Sequence, residues 1–385
     1  MLDVISNADG ASFGIHGAVH GNQLIDDSGV RVNERMRRGR ASAVNPSGRY
    51  EAGQRAVFHV GWDIEEELPV LKTTVQVERA RTIITRNQSP DVPFDRSINP
   101  YRGCEHGCVY CFARPSHAYM GMSPGLDFET RLYAKPDAVE LLERELSHPN
   151  YVPQPIAVGT NTDPYQPIEK TWGLMRGILE ALDRHNHPVT IVTKSALIMR
   201  DIDILSRMAE RGLAKVAISL TTMDKTLARA MEPRAASPTR RLEAMRALNN
   251  ASIPCNVMTA PMIPGLNDHE LERLLDSAAA AGAKEAGYVM LRMPLEVAPV
   301  FKEWLLRHYP DKFRHVMTLI RSMRDGTDYD AEGGKRMKGD GPYAWQIGRR
   351  FEIKTKQLGL NVARQPLRSD LFVPPHVAPK QMCLF

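Results

Sequence analysis

No apolar stretch of this chain approaches the roughly 20 residues that a membrane-spanning helix needs, so no span is predicted. The opening, MLDVISNADGASFGIHG, has neither the charged start nor the apolar run of a secretory signal, and the sequence reads as cytoplasmic. Net charge is small. Fifty Lys and Arg against 45 Asp and Glu leave +5 over 385 residues, so contact with nucleic acid would have to come from local patches. Cysteine is scarce, with Cys104, Cys108, Cys111, Cys255 and Cys383 making five. An odd total, with three inside eight residues and no export signal, argues against a disulfide framework and for metal. Internal repeats and low-complexity segments are missing as well. What is abundant is hydrophobic residue, at 43%, enough for a large core and too much for global disorder.

Residues 1–50 are polar, with weak periodicity, and read as a mobile arm. Six arginines from Arg31 to Arg49 either stay solvated, lie on a phosphate backbone or pack across the domain. The acidic run Glu65, Glu66 and Glu67 reads as surface. From about residue 95, short apolar runs alternate with amphipathic stretches. The runs lie at Ser97–Tyr101, 156–163, 189–195, 215–222, 255–261 and 287–291. Helices are predicted near 136–147, 171–185, 201–211, 238–250, 268–281 and 298–308. Ser237 before Pro238 gives a capping hydroxyl and a first-turn proline, and Asn267-Asp268 precedes the apolar spacing of Leu271, Leu274 and Leu275. Gly212 and Gly282 stand just past helix ends.

Apolar β-branched runs, each followed by a helix, mean parallel strands covered by helices. Six βα units fall short of the eight of a closed barrel. The prediction is a six-unit (β/α)6 partial TIM barrel over 95–310, an N-terminal arm and lead-in over 1–94, and a basic C-terminal extension over 311–385.

The densest chemistry is NPYRGCEHGCVYCFARP, residues 99–115, with Cys104, Cys108 and Cys111 spaced Cys-x3-Cys-x2-Cys directly after the first strand. Thiolates are soft ligands suited to iron–sulfur clusters or zinc. A structural zinc is closed by four ligands, and only three cysteines are local. Cys255 begins its strand whereas the loop leaves the end of its own, which puts the two on opposite faces of a parallel barrel. His106 and His117 could complete a zinc site. A 4Fe–4S cluster on three thiolates would leave one iron open.

This loop, with Tyr110 before the last cysteine, resembles that of the radical S-adenosylmethionine superfamily. The segments NPYRGCEHGCVYCFARPSHAYMG, SPGLDFETRLYAK, GTNTDPYQPIEK and APMIPGLND are similar to the subgroup around spore photoproduct lyase, often described as DNA-repair-photolyase-like. The resemblance covers roughly residues 95–295. It implies a six-unit partial barrel and a 4Fe–4S cluster that cleaves S-adenosylmethionine to a 5′-deoxyadenosyl radical. It also implies a reductant such as flavodoxin or ferredoxin.

Chemistry in open α/β structures sits past the carboxyl ends of strands. After the second strand come Asn161, Thr162 and Asp163, acceptors where many family members carry a Gly-Gly-Glu segment for the methionine amino group. The alternative is a plain Asp-Pro turn. After the third strand, Lys194 and Ser195 offer a cation and a hydroxyl that could meet a carboxylate or phosphate. Ser219 and Thr221 share a face by period two, and the resemblance implies cofactor carboxylate and ribose contacts there. Arg234 resembles the basic residue that grips the cofactor carboxylate, or else pairs with Glu232 at the surface. Pro264 and Gly265 resemble the turn that packs against adenine, Tyr110 would offer backbone groups to its edge, and Arg292 adds a cation after the sixth strand.

Candidates at the barrel mouth are Tyr165, Lys194, Arg292, Arg114 and His117, with Tyr165 the best-placed donor of a hydrogen atom to a product radical. Cys255 reads as a buried small hydrophobe. Residues 333–356 hold seven basic and two acidic residues interleaved with Tyr343, Trp345 and Phe351. That pattern suits nucleic acid, or an amphipathic helix with Trp345 and Phe351 in the core. The chain ends Gln381-Met382-Cys383-Leu384-Phe385 after a Pro-rich stretch. This pattern resembles the peptide by which bacterial repair proteins dock on the DNA sliding clamp, and otherwise is a hydrophobic tail folded back. The expected activity is radical S-adenosylmethionine chemistry on DNA, lyase-like. The alternatives are the same chemistry on RNA, protein or a small molecule, and a non-catalytic iron–sulfur or zinc protein that binds nucleic acid.

Overall fold

The computed structural model describes residues 39–51, 71–364 and 366–375. Among these residues ten strands occur in chain order: β1 Thr74–Val77, β2 Ile84–Arg86, β3 Arg96–Ile98, β4 Tyr101–Arg102, β5 Arg131–Ala134, β6 Ile156–Val158, β7 Val189–Thr193, β8 Ala214–Ser219, β9 Cys255–Met262 and β10 Glu285–Met290. Seven of them form one sheet in the order β10-β9-β8-β7-β6-β3-β2. Neighbours from β3 to β10 run parallel, and β2 closes one edge antiparallel. β2 and β10 are the two edges and do not pair, so the six parallel strands form an open, partial barrel. This is the architecture predicted from the six apolar runs.

Side chains along β7 and β9 alternate between buried and half-buried. The buried set, Val189, Ile191, Cys255 and Val257, joins one core with Leu179, Leu182, Leu205, Met245 and Leu274 from the covering helices. Period two thus turns one face of the sheet to the helices and leaves the other partly open.

The helices fall where the apolar spacing puts them. Pro238–Asn250 starts at the predicted residue, and the Ser237 hydroxyl accepts from Arg240 N at 3.4 Å. The predicted helix over 171–185 is broken at Gly173, whose left-handed backbone separates Glu169–Trp172 from Leu174–Arg184. Asn267 precedes its helix as predicted but does not cap it. Its side chain accepts from Ile263 N and donates to the Thr221 and Pro261 carbonyls, pinning the turn after β9.

The first predicted run is cut by Asn99-Pro100, so Tyr101–Arg102 leaves for a second sheet of order β1-β5-β4. That sheet was not foreseen, because its strands are short and pair with residues far along the chain. Helices Lys225–Met231, Val297–His308 and Pro310–Ser322 build a second core. Leu227, Trp304, Phe313 and Met317 pack there with Cys108, Val109 and Tyr110. The cysteine loop therefore rests on its own apolar floor.

Residues 39–51 lie against the body of the protein, which corrects the mobile-arm expectation for that part. Arg40 is buried and donates to the carbonyls of Glu129 and Leu71 and to the Thr73 hydroxyl. Val44 O accepts from Leu126 N, and Asn45 and Asp127 exchange two bonds, which serves the first turn of helix Leu126–Thr130. Arg31 to Arg38, Glu65–Glu67 and the tail Gln381–Phe385 lie outside the described residues.

Candidate active site

The loop after β3 is shaped by two glycines. Gly103 and Gly107 have φ of +70° and +66°, where a Cβ would be strained. At Gly107 a Cβ would also stand 2.7 Å from Glu129 Oε2. Backbone bonds fix the loop between them. Cys104 N donates to Phe128 O, Gly107 N to Cys104 O, Val109 N to Met231 O and Cys111 N to Cys108 O, all at 3.0–3.2 Å.

Arg114 lies beneath the loop, wholly buried, and does not face the barrel mouth as predicted. Its guanidinium donates to the carbonyls of Cys108, Gly107, Pro124 and Gly125 and pairs with Glu129. The loop's carbonyls need donors, and a planar five-donor fork supplies them from one side chain. His117 is also buried rather than at the mouth, with Nε2 2.9 Å from Arg131 O. Burial holds this imidazole down at about 4, so it stays neutral.

Cys104 and Cys108 are buried and Cys111 is partly so, and all are free thiols. Burial pushes all three up, and Cys104 is raised further by Asp163 and by its two neighbours. Buried thiols become ligands when a soft cation replaces the proton. No three His, Cys, Asp or Glu side chains among the described residues converge as a single-ion cage would. His117 is committed to Arg131, and His106 Nδ1 lies 3.4 Å from Asp163 Oδ2. Cys255 is buried in the main core, its thiol pushed up to about 12 by burial alone, with no charged neighbour at work. The donor set at the loop is therefore three thiols, which fits a cluster with one open iron better than a four-ligand zinc.

The loop after β6 is tied to the cysteine loop. Asn99 Oδ1 accepts from Asn161 N and Thr162 N, and the Thr162 hydroxyl donates to Tyr101 O. Asp163 accepts from Tyr165 N, the Thr193 hydroxyl and Lys194 N. Burial alone would raise this carboxyl, but His106 and these donors overcome it and hold it at about 2. Asp163 thus serves both as an anion at the strand ends and as the brace between β6 and β7.

Tyr165 does not open onto the mouth. It is fully buried in the main core and donates to Asp201 at 3.0 Å, because it follows Asp163-Pro164 as the chain turns outward to the helices. Lys194 is half-buried, with Nζ 5.8 Å from the centre of the Tyr110 ring and no carboxylate partner among the described residues. Ser195 caps the turn Ala196–Asp201, accepting from Leu197 N. Ser219 and Thr221 share a face as predicted, both hydroxyl oxygens lying 3.2 Å from Ala260 O, to which Ser219 donates. Arg234 pairs with Glu105 inside the cysteine loop, at 2.6 Å, rather than with Glu232. Pro264 is buried, and Gly265 packs beneath His315 and Leu319. Arg292 lies 4.9 Å over the Phe112 ring.

Three side chains brace the site, two that sequence reasoning passed over and Glu232, which it expected only as a surface partner of Arg234 and which is buried. Glu232 receives the Tyr110 hydroxyl, the Thr221 hydroxyl at 2.8 Å and the Arg241 guanidinium, all buried. Gln166 accepts from Glu105 N and donates to Gly103 O. Glu129 accepts from Ser42 N and Arg114. Gln166 and Glu129 stand in the quoted segments GTNTDPYQPIEK and SPGLDFETRLYAK, and Glu232 lies two residues before Arg234, but only the fold shows what each meets.

In the basic segment, Arg349, Arg350, Lys354, Lys335 and Arg336 pair with Glu352, Glu272, Asp276, Glu332 and Asp91. Phe351 packs against Tyr288 with ring centres 4.7 Å apart and tilted, whereas Trp345 is 68% exposed, contrary to the amphipathic-helix expectation for that residue.

An open six-stranded parallel barrel with three thiols on its first loop defines a class of enzymes. Residues 98–278 match the radical SAM superfamily. A protein of Mycobacterium tuberculosis is 38% identical over 232 residues, 60% of this chain and 68% of that one. One from Methanocaldococcus jannaschii is 25% identical over 219 residues, 57% and 78% of the two chains. Among solved structures, spore photoproduct lyase complexed with dinucleoside spore photoproduct is similar in fold, with TM-score 0.51 and 16% identity over 74% of this chain and 80% of that one. The chain belongs to the radical SAM superfamily.

Proposed function

We propose that this protein is a radical S-adenosylmethionine enzyme acting on DNA, with a lyase-like reaction at a damaged base. Cys104, Cys108 and Cys111 would hold a 4Fe–4S cluster, which supplies the electron that cleaves S-adenosylmethionine to a 5′-deoxyadenosyl radical. The observation that carries this reading is the donor set of three thiols on the first loop of an open parallel barrel. Tyr110 is clamped beside it by Glu232 and Thr221. Of Lys194 and Arg234, the two cations most directly expected at the cofactor carboxylate, Lys194 has no carboxylate partner among the described residues, whereas Arg234 pairs with Glu105. Asn161, Ser219, Thr221, Pro264 and Gly265 line the remaining strand ends.

The DNA part rests on the fold shared with the lyase and on the tail Gln381–Phe385, proposed to dock on the sliding clamp. A flavodoxin or ferredoxin would supply the electron. The test is anaerobic reconstitution with iron and sulfide, reduction with dithionite and addition of S-adenosylmethionine. Wild type should form 5′-deoxyadenosine and Cys108→Ala should not. A loaded cluster that forms none, with or without damaged DNA, would overturn the reading. Deleting 381–385 should abolish retention on immobilised clamp.

A further inference from the structure

Four aromatic rings are strongly exposed among the described residues: Tyr50, Phe112, Tyr119 and Trp345, at 59%, 43%, 67% and 68%. Two of the four are in contact, and a third, Phe112, is linked to them through the loop after β10. Tyr50 and Tyr119 stack on each other, with centroids 5.3 Å apart and planes 30° from parallel. The Arg49 guanidinium lies 5.4 and 5.5 Å from their centres. Arg49 is tied to Glu296 at 2.6 Å, just past the end of β10. The same β10 loop carries Arg292, which covers the Phe112 ring. Phe112 follows Cys111 directly, and Tyr119 lies on the short helix Arg114–Met120 that continues the cysteine loop. Arm, cysteine loop and β10 loop thus join at the edge of the proposed active site.

Exposing three large rings loses their burial energy, so their being fixed in the open asks for an occupant. Flat rings with guanidinium planes suit unstacked bases, because every base has a face to offer. The charge agrees. Arg49 is neutralised by Glu296, and Lys194 is proposed above for the cofactor carboxylate, but Arg292 has no ion-pair partner among the described residues. That leaves one cation at the rim for a phosphate of the strand. Leu295 is the one exposed large aliphatic side chain in the β10 loop, which makes the surface poor in the contiguous apolar area a protein partner would bury. The basic helix Gly341–Gln357 is less suited, since Arg349, Arg350 and Lys354 are already paired.

We infer that Tyr50, Tyr119 and Phe112, with Arg49 and Arg292, form a stacking platform for single-stranded or unpaired DNA bases at the mouth of the barrel. This rests on the DNA reading above and adds to it where the strand lies and in what form. A duplex would have to open locally to use the platform.

The test is fluorescence anisotropy of the cluster-loaded full chain with a labelled oligothymidine strand and with the same strand in a duplex. The single strand should bind more tightly. Tyr119→Ala and Phe112→Ala should each weaken it about tenfold, the cost of one lost stack, while Tyr119→Phe keeps the affinity. Trp345→Ala should leave it unchanged. With one unpaired cation, the slope of log K against log salt should be about −0.7. Iron content and unfolding midpoint, read on the same samples, show that each variant is folded. Equal affinity of all variants would overturn the platform, as would loss of binding on Trp345→Ala alone. Absence of strand binding by a protein that still forms 5′-deoxyadenosine would also overturn it, and would leave the radical chemistry standing. Ring-dependent binding without 5′-deoxyadenosine would uphold the platform and remove the radical reading.

Discussion

Arg114 and Glu129 meet at 2.6 Å with neither side chain exposed, directly beneath the cysteine loop. The pair lies at the junction of three segments. Arg114 gathers the carbonyls of Gly107 and Cys108, and Glu129 receives the backbone of Ser42 from the N-terminal arm. Removing one partner strands the other in a fully buried site. Arg114→Met should therefore cost about 3–5 kcal/mol. Urea unfolding would measure it, and iron loading should fall with it. Arg114→Lys should not restore loading, since one ammonium cannot span the four carbonyls of the fork.

Gly103 gives a second test of the loop. A Cβ there would stand 2.6 Å from Leu132 Cδ2, 2.8 Å from His117 Cε1 and 2.9 Å from the Phe128 carbonyl. The backbone is left-handed besides. Gly103→Ala should cost about 2–4 kcal/mol, from backbone strain and overpacking together. Thermal unfolding would check it, and a midpoint within a degree of wild type would contradict the geometry.

The thiols should separate into two kinds. Cys104→Ala, Cys108→Ala and Cys111→Ala should each abolish iron retention after reconstitution. Cys255→Ala should keep full iron and lose only the packing of a small buried side chain. Iron and sulfide analysis beside an unfolding midpoint distinguishes the two. Iron loss in the Cys255 variant would show that the ligand set extends beyond the loop.

His187 should make stability fall in mild acid. It is buried, Nδ1 donates to Pro188 O at 3.0 Å, and Nε2 accepts from Tyr151 at 2.7 Å. Burial, then the facing Arg96 and His185, hold it down at about 4. Phe372 packs against its edge. A depressed histidine favours the neutral form, so its contribution is complete above pH 6.5 and is lost as pH falls toward 4. The shift corresponds to roughly 3 kcal/mol. Urea midpoints between pH 7 and 4 should drop, and His187→Phe should flatten that drop.

Much of the fold is legible in the chain because its signals are local. The runs that became β6 to β10 are apolar and β-branched, and the covering helices carry their own caps, as at Ser237. Gly212 and Gly282 mark helix ends by φ of +71° and +95°. What escaped was what depends on distant partners. Strand Thr74–Val77 is four residues long and exists through its pairing with Arg131–Ala134. The turn of Tyr165 into the core could not be read from its place after a strand, because Pro164 redirects the chain.

The site divides in the same way. The three cysteines declare themselves by type and spacing, since few residues can hold a soft metal and eight residues suffice to bring them together. Which cation pairs with which carboxylate does not follow from order in the chain. Arg234 stands two residues from Glu232 yet meets Glu105, 129 positions away. Arg114 resembles a mouth residue and proves to be the strut beneath the loop. By itself the sequence determined the open parallel barrel and the ligand loop, because period, caps and thiol spacing act over a few residues. Only the tertiary structure decided which polar side chains are spent on holding that loop and which, like Lys194 and Arg292, remain for a ligand. Pairing of charges depends on distance in space, and folding sets that distance.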